Sequence, residues 1–497
     1  MSPTAIIVRS AVLTGSIVLA AVFCNLESGN KLTARNPNPP ELRAKDHVLS
    51  LTLYAGIASD GKSSFFFNGQ PNAPTLRLSP GDQLKIVYVN DLPARPPEKC
   101  LAGPCMDMTN LHFHGLTVSP DAPQDDVLDM MAMPGQSLHY TVPIPKDHPP
   151  GLYWYHTHPH GESYRQTLDG MSGALVIEGI ESYFPALAGL PERVLVVRGR
   201  SIVDDPHSAD LKHRVELRSD VCGAEPETPE EIFTLNGSVR PQIDIAPGEH
   251  QFWRLVNASA DRYLDVQLEG APFEIVAMDG MPIALHDPNH RTRIVGHVLL
   301  PPAGRLEAIV TGPTAGTPQH LISRCVETGP DGDPNPAMVL ADLVQRPAAP
   351  STEKVLESPR KPDLKNLDLA VEEKAPPRFI VTFTEDKQGF YINGEKFTHD
   401  ADPMVRAKIG SFQHWRIVNA TGELHPMHIH QVHFLAYAEN DQPIASPVWL
   451  DTVNVPYGGS VDVIMDFTDP VIRGMSVFHC HLLNHEDKGM MAKILFQ

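Results

Sequence analysis

Trp253-Arg254-Leu255-Val256-Asn257-Ala258 recurs later in the chain as Trp415-Arg416-Ile417-Val418-Asn419-Ala420, and Val87-Tyr88-Val89-Asn90 is a shorter, earlier copy. An Asn-Gly pair and then a second turn precede each copy, at Asn68-Gly69 and Pro80-Gly81-Asp82, Asn236-Gly237 and Pro247-Gly248-Glu249, and Asn393-Gly394 and Ile409-Gly410-Ser411. Asn-Gly favours a hairpin because both residues tolerate positive φ, and the alternation in Gln251-Phe252-Trp253-Arg254-Leu255 is typical of a half-buried strand. Three widely spaced copies therefore predict an all-β protein of three homologous β-sandwich domains.

Length and composition agree with that organisation. A chain of 497 residues is too long for one core, and 48 Pro with 35 Gly indicate many turns and few long helices. We place the three domains at residues 45–185, 190–345 and 378–497. The segment 346–377 is rich in Pro, Lys and Glu and shows little alternation, which is typical of an exposed linker.

The N-terminus and the overall charge indicate an exported protein. Arg9 precedes an apolar run from Ala11 to Phe23 that is short for a bilayer span, so we expect a signal peptide at 1–24 and a periplasmic or secreted location. No later stretch is apolar enough to cross a membrane, so stable membrane insertion after signal removal is not expected. The formal charge of −20 would repel phosphate backbones, which argues against nucleic acid as a partner.

Cysteine usage is consistent with an oxidising compartment. Cys24 falls at the end of the expected signal peptide, and the other cysteines are Cys100, Cys105, Cys222, Cys325 and Cys480. The first four of these permit three connectivities, of which sequence proximity and shared predicted domains favour Cys100 with Cys105 and Cys222 with Cys325. Cys480 is then left unpaired and requires another role.

Histidines form pairs at the two ends of the chain. With 24 His, chance gives about one His-x-His pair, yet five occur, at His112/His114, His156/His158, His158/His160, His428/His430 and His479/His481. One such pair alone indicates no more than two imidazoles on an exposed strand face. Alternate residues of a strand point to the same side, so each pair presents two imidazoles to one pocket, and imidazole suits copper. Since the middle domain has no pair, the first and third domains must meet to form one metal site.

The stretch His479-Cys480-His481 points to a second, different metal site. Strand alternation turns Cys480 to the opposite side from its two neighbours, although it is covalently joined to both. Blue-copper sites use one Cys, two His and a weak axial ligand, usually Met. His485 and Met490 follow Cys480 within one short loop, and His425 supplies the other nitrogen. The sequence thus predicts a thiolate copper on one side of the strand and imidazole-bound coppers on the other.

Four segments closely resemble the copper-binding motifs of the multicopper oxidases, in particular those of the three-domain bacterial laccases and copper-efflux oxidases. They are His112-Phe113-His114-Gly115, Trp154-Tyr155-His156-Thr157-His158, the run from His425 to His430, and the run from His479 to Met490. The resemblance implies three consecutive cupredoxin-like Greek-key domains, with the middle one a copper-free spacer, and four copper ions. It assigns His425, Cys480, His485 and Met490 to a type 1 copper, His112 and His428 to a type 2 copper, and His114, His156, His158, His430, His479 and His481 to a type 3 pair. His160 has no counterpart among the ligands, so we expect it behind them or at the surface.

Three acidic residues are expected to assist the reaction. The resemblance implies that Glu486 lies near the type 3 coppers and Asp125 beside the type 2 copper, where oxygen reduction needs protons; the neighbouring Asp126 is an alternative to Asp125. Asp451 matches an acid that related oxidases place against a type 1 His near the donor entrance. For each of these residues an ordinary solvated or strand-end carboxylate is the alternative.

The resemblance implies that electrons pass from a small reducing donor to dioxygen, which is reduced to water. Phenols, aromatic amines and cuprous ions are the candidate donors. The chain has no Met-rich tract beyond Met130, Met131 and Met133, which favours a laccase-like donor site over a cuprous-ion oxidase of copper tolerance. The alternative from another class is a non-catalytic cupredoxin-repeat protein for copper storage or scaffolding, although such relatives lose ligands. A copper nitrite reductase would need two domains.

Overall fold

The strands of the described residues form six sheets that pack as three consecutive pairs. A computed structural model describes residues 38–94, 107–203, 205, 208–218, 222, 230–285, 291–314, 319–345 and 375–497. All of these residues fall within one unit, Ala34–Gln497. The expected signal peptide, Cys100, Cys105 and positions 346–374 of the expected linker lie outside the described residues.

The first pair of sheets carries two of the histidine motifs. Its strands are β1 Glu41–Arg43, β2 Val48–Ile57, β3 Ser63–Phe67, β4 Gln70–Pro71, β5 Thr75–Leu78, β6 Gln83–Asn90, β7 His112–His114, β8 Ser137–Pro143, β9 Gly151–His156 and β10 Ser172–Ile177. One sheet has the order β4-β3-β2-β6-β8, and the other has the order β1-β5-β10-β9-β7. A shared core that includes Leu53, Phe65 and Tyr88 lies between them.

The second pair of sheets has no His-x-His motif. Its strands are β11 Glu192–Ser201, β12 Leu217–Arg218, β13 Glu231–Leu235, β14 Gln242–Asp244, β15 His250–Asn257, β16 Leu264–Leu268, β17 Phe273–Met278, β18 Met281–Pro282, β19 Arg293–Val295, β20 His297–Leu300, β21 Arg305–Thr311, β22 Gln319–Arg324 and β23 Ala337–Val344. The orders are β13-β11-β15-β21-β17-β18, with β19 on β17, and β12-β23-β22-β16-β20, with β14 on β23. The predicted disulfide Cys222–Cys325 is present in this part of the chain.

The third pair of sheets carries the remaining motifs. Its strands are β24 Phe379–Asp386, β25 Gly389–Ile392, β26 Val405–Ala407, β27 Ser411–Asn419, β28 His425–Ile429, β29 Phe434–Glu439, β30 Gln442–Leu450, β31 Thr452–Val455, β32 Ser460–Phe467, β33 Gly474–Cys480 and β34 Met491–Phe496. The orders are β25-β24-β27-β32-β29-β30 and β26-β34-β33-β28-β31. Cys480 is buried in the core between these two sheets.

Helices are few and short in the described residues, as predicted. The α-helices are α1 Ser163–Asp169, α2 Ser208–Arg214 and α3 Leu483–Asp487, and short 3-10 turns occur at Ile180–Ser182, Pro185–Leu187, Ile283–Leu285 and Pro470–Ile472. None of the described helices has the length and apolarity needed to span a membrane.

The repeated sequence performs the same structural task in all three domains. In each, the repeat strand (β6, β15 or β27) lies parallel to the first long strand of its sheet (β2, β11 or β24). Asn68, Asn236 and Asn393 all have positive φ, as the predicted hairpins require. The Asn that ends each repeat strand bridges two backbone carbonyls through its side-chain amide, at Asn90, Asn257 and Asn419. The prediction of three cupredoxin-like sandwiches is confirmed as a fold class; the exact boundaries at 45–185, 190–345 and 378–497 stay predictions, and β1 begins before residue 45.

One local expectation was wrong. β15 was expected to be half-buried, but every residue of it after His250 is buried. Trp253 packs in the core of the second domain, whereas Val256 packs on the other face against Leu152 and Trp154 of the first domain. The alternation persists in the sequence, but the neighbouring domain covers the face that would otherwise be exposed.

Candidate metal centre

The pairing of β28 with β33 sorts the metal-binding side chains onto two faces of one sheet. The two strands are antiparallel, with Met427 opposite Cys480 and His428 opposite His479. Side chains directly opposite each other share a face, and successive side chains alternate. His425 is two positions before Met427 and therefore shares the face of Met427 and Cys480. The two sites predicted for the His479-Cys480-His481 stretch are separated by the strand itself.

On one face, eight buried histidines from the first and third domains form a single cluster. They are His112, His114, His156, His158, His428, His430, His479 and His481. Antiparallel pairing of β7 with β9 places His112 opposite His156. The rings of His112 and His430 stack with centroids 3.7 Å apart, and those of His114 and His428 stack at 3.9 Å. The predicted meeting of the two ends of the chain is thus present.

Several subsets of this cluster have the geometry of a metal site. Ligand atoms lie within 4.8 Å of one another in the sets His112/His114/His156, His112/His428/His430 and His158/His430/His479. In the last set, the Nε2 atom of His479 lies 3.2 Å from Nε2 of His158 and 3.2 Å from Nε2 of His430. Three imidazole nitrogens therefore converge on a small volume.

The hydrogen bonding of these rings fits copper ligands. The Nδ1 atoms of His112, His156 and His428 bond to Asp125, to the Thr157 carbonyl and to the Asp451 carbonyl, respectively. The opposite nitrogen, Nε2, of each of these rings is buried and has no hydrogen-bond partner among the described residues. Metal-bound histidines characteristically use the second ring nitrogen for such a protein contact. An unpartnered buried nitrogen is otherwise costly, so these rings fit a metal that would accept their lone pairs.

The protonation of the cluster also suits metal binding. Burial, together with the neighbouring rings, lowers the pKa of His112, His428 and His481 well below the usual value, and it lowers the pKa of His479 to about 3. The imidazoles are consequently neutral near pH 7, which is the form that coordinates a metal.

On the other face, His425, Cys480 and His485 form the second site. The Sγ atom of Cys480 lies 3.4 Å from Nδ1 of His425, which lies 3.3 Å from Nδ1 of His485. Met490 is buried in the same core, and its backbone bonds to both Cys480 and His485. Burial raises the pKa of the Cys480 thiol, so the thiolate needs a nearby cation such as a copper ion. The predicted type 1 residues are therefore brought together.

Asp125 contacts His112, one of the two histidines expected at the type 2 copper, whereas Asp126 does not reach the cluster. The Asp125 carboxylate accepts hydrogen bonds from His112 Nδ1 at 3.0 Å and from the Phe113 N–H at 2.8 Å. Burial raises the pKa of Asp125 to about 8. Asp126 instead accepts backbone N–H bonds from Leu128 and Asp129, in its own loop.

Glu486 is buried beside the cluster and bonds to the partly exposed His160. Its Oε1 atom lies 3.1 Å from Nδ1 of His160, whose side chain is 33% exposed. His160 therefore lies behind the predicted ligands. Although burial alone would raise it, the His160 hydrogen bond and the nearby His158 lower the pKa of Glu486 to about 2.

The prediction for Asp451 was wrong in its location. Asp451 does not lie against the type 1 histidines; its Oδ1 accepts a hydrogen bond from His114 Nε2 at 3.0 Å. The reason is the register of β28 and β31, which pairs His425 with Val455 but His428 with Thr452. Asp451, immediately before Thr452, is consequently at the eight-histidine end of the strand.

Two residues of the second domain contact Asp451, and the sequence reasoning missed both. Arg305 forms a two-point ion pair with the Asp451 carboxylate, and the Asp279 carboxylate accepts the Asp451 N–H. The second domain has no His-x-His pair, so nothing in its sequence pattern pointed to the metal cluster.

Comparison with known proteins decides the family. Residues 54–182 and 359–497 match two family profiles, both described as multicopper oxidase, and together they span more than half of the chain. The chain belongs to the multicopper oxidases.

Relatives of this multicopper oxidase align over most of its length. It is 24% identical to "Multicopper oxidase mco" of Staphylococcus aureus over 89% of this chain and 88% of the relative, and 24% identical to "Laccase" of Bacillus stratosphericus over 86% and 89%. Among solved structures, a Campylobacter jejuni multicopper oxidase described as a metallo-oxidase superposes with a TM-score of 0.70 at 23% identity, covering 94% of this chain and 95% of that chain. A laccase-like CueO from Ochrobactrum sp. superposes with a TM-score of 0.67 at 24% identity, covering 93% and 100%.

Family membership and the site together define the general chemistry. The enzyme is an oxidoreductase of the laccase-like multicopper oxidases, with a reducing substrate and dioxygen as its reactants. The two clusters of buried ligands support copper binding.

Proposed function

We propose that this multicopper oxidase is a laccase-type enzyme that oxidises phenols or aromatic amines by single electrons and reduces dioxygen to water. The proposal includes one type 1 copper at His425, Cys480, His485 and Met490, one type 2 copper at His112 and His428, and a type 3 pair at the other six histidines. The observation that carries it is the alternation along β33, which places Cys480 in one site and its two neighbours in the other.

Copper bound at these residues would supply the one-electron redox chemistry and the reduction of dioxygen. The protein supplies the connection, because Cys480 is joined through two peptide bonds to His479 and His481. It also provides a path for protons from solvent to the cluster, because the partly exposed His160 bonds to the buried Glu486. On the opposite side, Asp125 is hydrogen-bonded to His112 and to Gln431 Nε2.

The edge of His485 is the proposed donor entrance, and its surroundings are acidic. Phe390 stacks on the His485 ring at 3.8 Å, and Glu423 Oε1 lies 3.5 Å from His485 Nε2. Asp261 and Asp333 line the same depression together with one cation, Arg262, so acidic residues outnumber basic ones there. Burial and the neighbouring Glu385 raise the pKa of Glu423 to about 8. An acidic entrance favours neutral or cationic donors over anionic ones.

That acidity supports a second candidate function, the oxidation of a metal ion such as the cuprous ion. Carboxylates suit cation binding, whereas a phenol needs mainly an accessible His485 edge. The two candidates share the copper sites and differ only in the donor.

A donor panel with a charge-neutralised variant tests the proposal. Oxygen uptake by the copper-loaded protein is measured with a dimethoxyphenol, a cationic aromatic diamine and cuprous ions. We expect turnover of the organic donors without added copper. Above pH 8, where Glu423 is ionised, Glu423→Gln should raise KM for the diamine about threefold to fivefold, as one screened charge contact predicts. Exposed Glu439→Gln is the matched control and should change nothing. Turnover that strictly requires cuprous ions would favour the second candidate, and protein without copper or oxygen uptake would favour a non-catalytic scaffold.

Export to the periplasm or the exterior is also part of the proposal. It is supported by the apolar run from Ala11 to Phe23 and by the Cys222–Cys325 disulfide, since disulfides persist in oxidising compartments. Fractionation of cells that produce the full chain tests it: recovery of the enzyme in the cytoplasm with reduced cysteines would contradict export.

A further inference from the structure

Arg305 is a wholly buried arginine of the second domain, at the start of β21. All five N–H donors of its guanidinium have acceptors. Nε donates to the Leu152 carbonyl, Nη1 to the Ala303 carbonyl and Asp451 Oδ1, and Nη2 to the Asp279 carbonyl and Asp451 Oδ2. The guanidinium is therefore fixed in one orientation by residues of all three domains.

The main partner of Arg305 is Asp451, in the third domain. The two side chains form a bidentate ion pair, and both are fully buried. Thr452 Oγ1 also donates to Asp451 Oδ1, at 2.9 Å. Asp279 lies on the other side of Arg305 and accepts its backbone N–H at 2.8 Å. Asp451 is the main partner of Arg305 because it accepts from both Nη atoms, whereas the Asp279 carboxylate accepts only from the Arg305 backbone N–H.

Asp451 in turn contacts two histidines of the metal cluster. Its carboxylate accepts from His114 Nε2 at 3.0 Å, and its backbone carbonyl accepts from His428 Nδ1 at 2.8 Å. These bonds leave His114 Nδ1 and His428 Nε2 without partners among the described residues. Asp451 therefore selects which nitrogen of each ring faces the cluster.

The backbone of the first domain closes around the ion pair at Gly115. A Cβ atom there would lie 2.5 Å from Arg305 Nη2 and 2.6 Å from Asp451 Oδ2, and φ is +83°. Gly115 directly follows His114, so the close approach also fixes the backbone that carries this ring. The Gly115 backbone therefore packs directly against both side chains of the ion pair.

We propose that Arg305 is a positioning residue for the histidine cluster: by holding Asp451, it sets the tautomer and orientation of His114 and His428. The inference rests on the copper-binding role proposed above for these two histidines. It gives the second domain a part in the metal centre, although that domain contributes no ligand. A purely structural ion pair between domains would stabilise the fold but would leave copper affinity unchanged.

Arg254 offers a matched control. It is also a buried arginine of the second domain, and it forms ion pairs with Glu192 and Glu307. Glu307 binds the Leu152 N–H of the first domain, so this pair also joins two domains. Among the described residues, Arg254 bonds to these two glutamates and to no histidine of the cluster. Arg305→Lys and Arg254→Lys each keep the charge and remove the planar guanidinium with its fixed donors.

The experiment compares Arg305→Lys, Arg254→Lys and the unchanged enzyme. Copper per chain is measured during titration with a copper chelator, together with the visible thiolate band and the thermal unfolding of the copper-free proteins. We expect Arg305→Lys to weaken copper binding at the histidine cluster about 10-fold to 100-fold, the range for residues that orient metal ligands, while the thiolate band is kept. Arg254→Lys should lower only the unfolding temperature. Equal copper affinity in Arg305→Lys and the unchanged enzyme, or an equal loss in Arg254→Lys, would overturn the proposal.

A second variant covers the case in which Arg305→Lys does not fold. The double variant Arg305→Met with Asp451→Asn removes both charges of the bidentate pair, so neither of these two residues is left as an unpaired buried charge. It should fold and show the same weakening of the histidine cluster; unchanged copper affinity would overturn the inference. An unchanged enzyme that binds no copper at all would instead contradict the proposed function.

Discussion

His428 and His479 lie directly opposite each other on β28 and β33, with ring centroids 5.4 Å apart. Their sequence neighbours Met427 and Cys480 are opposite each other in the same ladder, one position along. The side chains of adjacent positions point to opposite faces of the sheet. A single strand register therefore assigns the histidines to one metal site and the thiol to the other.

Replacing Cys480 with Ser should remove the type 1 site only. The change is nearly isosteric, so we expect the fold to survive with a loss of about 1–3 kcal/mol for an imperfectly bonded buried hydroxyl. The intense visible band of a copper thiolate should disappear, and donor oxidation should fall by at least about 100-fold. Absorption spectroscopy and oxygen uptake measure both; a colourless variant that keeps full activity would contradict the assignment.

Met490 and Met491 provide an internal comparison for the axial position. Both are buried, but Met490 packs with Cys480 whereas Met491 packs with Val127 and Val477. Met490→Leu should raise the type 1 reduction potential by several tens of millivolts, because a weak sulfur ligand is lost and about 59 mV equals a tenfold change in a one-electron equilibrium. Met491→Leu should leave the potential unchanged. Redox titration of the visible band measures the potential of each variant. Equal shifts in both variants would contradict the assignment of Met490 as the axial ligand.

The adjacent carboxylates Asp125 and Asp126 should behave differently. Asp125→Asn replaces the buried carboxyl group that is hydrogen-bonded to His112 Nδ1, so oxygen reduction should slow by about 10-fold to 100-fold. Asp126→Asn affects only a loop turn and should cost less than about 1 kcal/mol of stability. The measurements are oxygen-reduction rates of the reduced proteins and thermal unfolding. A larger rate loss in Asp126→Asn would reverse the assignment.

Glu486→Gln tests the proposed proton path from His160. The amide keeps the shape of the side chain but cannot carry a proton, so oxygen reduction should slow by about 100-fold or more. Reduction of the thiolate site by the donor should stay at the normal rate, because Glu486 lies on the histidine side. Stopped-flow absorbance separates the two half-reactions. If Glu486→Gln slowed only the donor half-reaction, the proposed role of Glu486 in oxygen reduction would be contradicted.

The sequence was sufficient wherever the determinant is local. Asn-Gly turns such as Asn236-Gly237 predicted the hairpins, since positive φ is a property of those residues. The consecutive positions of His479, Cys480 and His481 predicted two sites, since the alternation of side chains along a strand is also a local property. The Cys222–Cys325 pairing followed from predicted domain membership and is confirmed.

Contacts between distant segments could not be predicted in the same way. The position of Asp451 depends on the register of β28 and β31. In that register His425 pairs with Val455 and His428 pairs with Thr452, so Asp451 lies at the His428 end of the ladder. Arg305 reaches Asp451 across a domain interface, and no periodic pattern marks an arginine for that task. The burial of both faces of β15 similarly depends on the first domain.

An anaerobic reductive titration of the copper-loaded enzyme, followed by reoxidation with dioxygen, tests the central claim most directly. Two connected sites at the two faces of β33 predict four copper ions and four electron equivalents per chain, with one dioxygen reduced to water and no hydrogen peroxide released. Uptake of about one electron per chain, or peroxide as the product, would contradict a connected thiolate and histidine centre.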